Sequence, residues 1–125
     1  MREFLSVGLG GFIGSVSRWG IGLWLRTLLP GVPAGTFVAN VIAGLLIGVV
    51  TGVDLASPLP AELRLFLAVG LCGGLSTFST FSSETIQLVE AGNWAGAVIN
   101  VVVNVGVCII AVIVGLRLGG VIANA

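Results

Sequence analysis

Apolar residues fill four long stretches of this chain, at residues 4–29, 34–53, 61–89 and 94–116, and polar residues gather in the gaps between them. Each stretch matches or exceeds the roughly 20 residues that a helix needs to cross a bilayer core. The gaps read as turns: Pro30-Gly31-Val32-Pro33, a loop from Asp54 to Pro60 with two prolines, and Ala91-Gly92-Asn93. The pattern predicts an all-α integral membrane protein of four transmembrane helices, with a single domain over residues 1–125. The first stretch starts like a signal peptide, but it is too long and lacks a small-x-small cleavage pattern. It is read as an uncleaved span.

Small and polar positions inside the stretches recur at helical spacing. Gly10, Gly14 and Arg18 fall four apart on one face of the first, and Thr36, Asn40, Gly44 and Gly48 do so on the second. Asn100, Asn104 and Cys108 make a narrow polar stripe on the fourth. Glycines at four-residue steps let helices approach closely in lipid.

The third stretch departs from this pattern. Its run Gly70-Leu71-Cys72-Gly73-Gly74-Leu75-Ser76-Thr77-Phe78-Ser79-Thr80-Phe81-Ser82-Ser83 sets glycines ahead of a string of hydroxyls. Glycine costs a helix about 1 kcal/mol relative to alanine, and serine and threonine prefer caps and turns. The third helix is therefore expected to break near mid-membrane over residues 73–77, between halves at 62–71 and 78–90. Backbone freed at that depth survives only where it is buried in protein or lines a wet cavity. Broken spans of this kind point to ion or substrate sites.

Composition sharpens the class. The 125 residues are 57% hydrophobic and only 8% charged, with a mean hydropathy of +1.20. A soluble domain carries about 25% charged residues, so a water-facing surface is excluded. Five basic residues balance five acids and there is no histidine, which sets nucleic acid aside as a partner. No nucleophile elbow or carboxylate pair supports an enzyme. Cys72 and Cys108 lie in apolar stretches and read as free thiols. Four spans place both termini on one side, with Arg2, Arg64 and Arg117 there and Arg26 opposite. That bias favours N-inside but is weak enough to allow insertion in both orientations.

Candidate chemistry collects around the break. Arg18, near mid-membrane, is open to two readings of equal weight: a structural tie to neighbouring helices, or an attractant for anions near a pore mouth. Asn40, Asn100 and Asn104 either bond across helices, worth about 1 kcal/mol in lipid, or offer neutral donors to a small anion that must shed water. Phe78 and Phe81 share one face of the second half, ringed by Ser79, Thr80, Ser82 and Ser83. The positive edge of a phenyl ring can meet an anion. The second half-helix starts near Thr77 and Phe78 with unpaired N–H groups and a positive dipole end. The carbonyls ending the first half could hold a cation such as sodium. Glu84 is read as an interhelical hydrogen-bond partner rather than a vestibule acid.

The strings GGFIGSVSRW, FVANVIAGLLIG and above all GLCGGLSTFSTF resemble the Fluc (CrcB) fluoride channels over essentially the whole chain. The resemblance implies a passive fluoride-exporting channel of the cell inner (plasma) membrane, built as an antiparallel, dual-topology homodimer with two pores. It also allows a heterodimer with a paralogue. It places Phe78, Phe81 and Asn40 along the pore, with Ser79 and Thr80 on a polar track. It puts a structural sodium ion on the dimer axis, held by the backbone carbonyls of Gly73 and Ser76. Some relatives carry tyrosine and serine where Asn100, Asn104 and Cys108 stand. The main rival is a proton-coupled small multidrug transporter, also a four-span dimer. It needs an embedded carboxylate in the first helix, where this chain has only Glu3 at the edge. A non-transporting assembly subunit leaves the broken helix unexplained.

Overall fold

The computed structural model describes all 125 residues, Met1–Ala125, and is helical except at its turns. Helix α1 is Arg2–Leu28 and α2 is Ala34–Ala56. The third segment forms α3, over residues 61–75, and α4, Phe78–Glu90; α5 is Trp94–Asn124. The chain reverses after each long segment. Ion pairs Arg2–Glu62 (3.9 Å) and Arg64–Asp54 (3.5 Å) gather the start of α1, the end of α2 and the start of α3 at one end.

Three segments are long and apolar enough to cross a membrane: α2, the α3–α4 pair and α5. Helix α1, expected as a span at 4–29, is not among these three. Its 27 residues rise about 40 Å, so length is not the obstacle. Arg18 and a sprinkling of serine and glycine lower its apolarity. Across the molecule only 19 residues are buried, while Phe12, Ile13, Val102, Ile109 and Ile113 face outward. Apolar outside and small-residue seams within is the arrangement that lipid favours.

Two such seams hold the bundle. Between α1 and α3, a Cβ on Gly70 would lie 2.7 Å from the Val7 carbonyl oxygen and 2.9 Å from Gly10 Cα. Between α2 and α5, a Cβ on Gly119 would lie 3.0 Å from Gly52 Cα. This second seam explains why α5 continues to Asn124 where the sequence suggested a stop at Arg117: Gly115 and Gly119 keep the backbones in contact. At the other end of the bundle, α4 closes with Gly92 at φ 76°. Gly92 N–H donates to Val89 O (2.9 Å) and Asn93 N–H to Leu88 O (2.8 Å), a Schellman closure. Asn93 Oδ1 then accepts from Gly96 N–H at 2.9 Å and so starts α5.

The break in the third segment is narrower than expected. Residues Leu65–Cys72 are π-helical, an uncommon winding that recurs at functional sites, and Gly73–Leu75 remain α-helical. Only Ser76 and Thr77 are extended, with ψ 154° and 117°. Of the two glycines expected to unwind the chain over 73–77, Gly74 serves contact with α1, where an added Cβ would lie 3.0 Å from Ser15 N, while Gly73 has open space beside it; both stay wound. The helix is stopped by a side chain from outside it. Thr77 N–H would normally bond to the Gly73 carbonyl, four residues back; it donates instead to Asn40 Oδ1, at 2.8 Å.

Candidate functional site

Asn40, in the second turn of α2, grips the break from both sides: Thr77 N–H reaches its Oδ1, and its Nδ2 donates to the Thr77 carbonyl at 3.4 Å. Thr77 then caps α4. Its Oγ1 accepts from Thr80 N–H at 3.2 Å, leaving Phe78 and Ser79 N–H as the unpaired donors of the first turn. On the upstream side, Ser76 N–H and Ser76 Oγ both donate to Cys72 O, at 3.0 and 2.9 Å. The Gly73 and Ser76 carbonyls accept no hydrogen bond within the chain. Two free carbonyls therefore lie beside two free N–H groups within a few residues. Free carbonyls suit a cation and free N–H groups an anion.

A cavity of about 420 Å³ opens against this break. Asn40, Gly44, Gly73, Ser76, Thr77, Phe78, Phe81, Asn104 and Cys108 are among its walls. The two rings stand 5.5 Å apart between centroids and 52° from parallel, a tilted pair that presents edges. Their exposures differ sharply. Phe81 is 8% exposed and Phe78 78% exposed in the single chain.

The remaining expected site residues divide. Ser79 and Thr80 are absent from the cavity wall. Their hydroxyls gather about Thr77 Oγ1, at 3.2 and 3.1 Å. Arg18 is tied down: its Nε donates to the Gly74 carbonyl at 3.0 Å, which bonds α1 to the end of α3. Asn100 lines a second cavity, of about 320 Å³, bounded also by Pro33, Phe37, Leu88 and Asn93 near the two turns at that end. Glu84 Oε1 accepts from Thr36 Oγ1 at 2.7 Å, linking α4 to α2 as the sequence reading favoured.

Two features escaped the sequence. Cys72 and Cys108, 36 positions apart, share the larger cavity. Thr85 joins the polar stripe of α5 to the ring pair: Asn104 Nδ2 donates to Asn100 Oδ1 (3.0 Å), Asn100 Nδ2 to Thr85 Oγ1 (3.0 Å), and Thr85 Oγ1 to Phe81 O (2.8 Å). Spacing along one helix cannot reveal a partner on another, and nothing in the sequence marked Thr85.

The chain is similar in sequence to known proteins. A family model described as CrcB-like protein, Camphor Resistance (CrcB), matches residues 5–116. The chain is 48% identical over 115 residues to the fluoride-specific ion channel FluC of Paraburkholderia xenovorans (strain LB400), covering 91% of each chain. It is 45% identical over 119 residues to the protein of the same name from Shewanella halifaxensis (strain HAW-EB4), covering 94% of this chain and 96% of that one. It is 47% identical over 98 residues to its counterpart in Pseudomonas putida (strain W619), with 76% and 77% covered.

Proposed function

This chain belongs to the CrcB-like family, and we propose that it is a fluoride-selective channel that lets fluoride leave the cell passively. It is a multi-pass membrane protein, of the inner membrane where the cell is bacterial, and it works without covalent chemistry. All four long segments cross the bilayer in this reading, α1 included. The observation that carries it is the cavity at the break, where Phe78, with its unpaired N–H at the start of α4, and Phe81 share one space with Asn40 and Asn104. Ring edges and backbone donors suit a small anion that accepts hydrogen bonds strongly. Their neutrality lets the ion leave again. Asn40 acts here chiefly by holding the break open, since both ends of its amide are occupied by Thr77.

Two copies make the channel in this reading, packed antiparallel with two pores. A second copy would cover Phe78 and complete a cavity that one chain leaves open on one side. The Gly73 and Ser76 carbonyls, both free and both on exposed residues, would meet their counterparts on the axis between copies and hold a sodium ion. Two carbonyls per chain make four between two chains, a fitting start for a hard cation that takes oxygen ligands. Such an ion would supply fixed positive charge and tie the copies together. Arg18 pins the adjoining Gly74 carbonyl and keeps this edge in place.

Fluoride efflux from sealed liposomes is the test. The purified chain should release fluoride and retain chloride. Phe81→Ile should cut the flux by more than about tenfold, a barrier change of at least about 1.4 kcal/mol. Equal release of both halides would refute the selectivity, and no release at all would refute the channel.

A further inference from the structure

Asn104 is the one residue that lines both cavities, and it stands between them 5% exposed. Its amide points the wrong way for an anion. Nδ2 donates to Asn100 O at 2.9 Å and to Asn100 Oδ1 at 3.0 Å, while Oδ1 is buried with no partner at all. A buried acceptor left unpaired is costly. An anion arriving from the larger cavity would meet an amide whose protons are already spent.

The partners of Asn104 can all exchange roles. An amide carries donors and an acceptor, and a hydroxyl is both. The observed order runs from Asn104 to Asn100, to Thr85, to the Phe81 carbonyl. The same three side chains support the opposite order. Thr85 O–H would then donate to Asn100 Oδ1, and Asn100 Nδ2 to Asn104 Oδ1, with the Asn104 oxygen swung off the Asn100 backbone. Asn104 Nδ2 would be released toward the space between the cavities. The Phe81 and Asn100 carbonyls lose only side-chain donors and keep their helical N–H partners.

We propose that Asn104, Asn100 and Thr85 form a reversible hydrogen-bond relay that turns its donor end toward the anion when fluoride occupies the passage between the two cavities. The inference rests on the channel reading above and adds a selectivity element to it. In the resting order one acceptor is orphaned. In the reversed order that oxygen is bonded, and the released donor is satisfied only when an anion is present. A ligand shifts such an equilibrium only by its differential affinity. Fluoride, the strongest acceptor among the halides, gains most from a buried N–H.

The experiment uses the chain in nanodiscs with its asparagine side chains labelled with ¹⁵N. Fluoride should shift the side-chain amide signals of both Asn100 and Asn104, and the same concentration of chloride should leave them in place. Assignment comes from Asn104→Ser and Asn100→Ser, which are small enough to fit. In liposomes of the same protein, Asn104→Leu, which removes both ends of the amide, should lower fluoride flux by about tenfold. Asn104→Ser keeps a rotatable donor and should stay within about threefold of the parent. Unmoved amide signals in a preparation that conducts fluoride would overturn the relay and leave the channel standing. Equal flux in the serine and leucine variants would do the same. A parent chain that passes no fluoride would instead remove the channel reading on which the relay depends.

Discussion

Asn40 shows how one side chain can set backbone geometry from a distance. By taking Thr77 N–H it removes the bond that would carry α3 on into α4, and the Gly73 carbonyl is stranded as a result. Asn40→Leu should let Thr77 N–H return to Gly73. Hydrogen exchange at Thr77 should then slow, and fluoride flux should fall by at least about tenfold, the effect of about 1.4 kcal/mol on the barrier. Flux at the parental level would show that the break holds without its clasp. The type of this residue was legible from sequence, a lone amide in an apolar span; its action on residue 77 was not, because the partner lies 37 positions away. The same limit applies to Arg18, whose bond to the Gly74 carbonyl, 56 positions away, no local pattern announces.

At the scale of elements, the glycines did not do what their propensity suggests. Glycine weakens an isolated helix, yet Gly73 and Gly74 lie in helix, and Gly70 and Gly74 lie where α1 leaves no room for a side chain. Packing overrode propensity, as it commonly does in proteins. Hydrophobic periodicity did locate every long helix, and it missed the end of α5 because a seam of small residues carries no hydropathy signal. Gly70→Ala should therefore lower the stability of the detergent-solubilised protein by about 1–3 kcal/mol through overpacking. Gly20→Ala, with nothing within 4 Å of its added Cβ, should leave it nearly unchanged. Thermal unfolding of the pair measures the difference. Equal midpoints would mean that the α1–α3 seam yields easily.

On the scale of the whole molecule, the site lies partly open in the single chain. Gly73, Ser76, Phe78 and Ser79 are exposed in the single chain, whereas Phe81 is buried. Glycine and hydroxyl propensities foretold a break in the third segment, though a wider one than the two extended residues Ser76 and Thr77. The uneven exposure of the two rings follows from how α4 lies against α2 and α5, which no local pattern encodes. If sodium joins two copies through Gly73 and Ser76, the unfolding midpoint should rise with sodium concentration and ignore N-methylglucamine at equal ionic strength. Binding to the folded state alone stabilises by RT ln(1 + [L]/Kd). A midpoint indifferent to sodium would leave the two carbonyls without that occupant.

The π-wound run Leu65–Cys72 has a bearing on how this protein tolerates changes in length. Its loose coil holds more residues per turn than an ordinary helix, so losing one there can be absorbed by tightening. A chain lacking Val69 should keep its exit and its two rims aimed as they are. A chain lacking one residue from α4 has no such slack, and everything beyond the cut would be turned by roughly 100° about the axis. Slack of this kind, placed just ahead of the part that must aim, lets the scaffold drift while the aperture stays true.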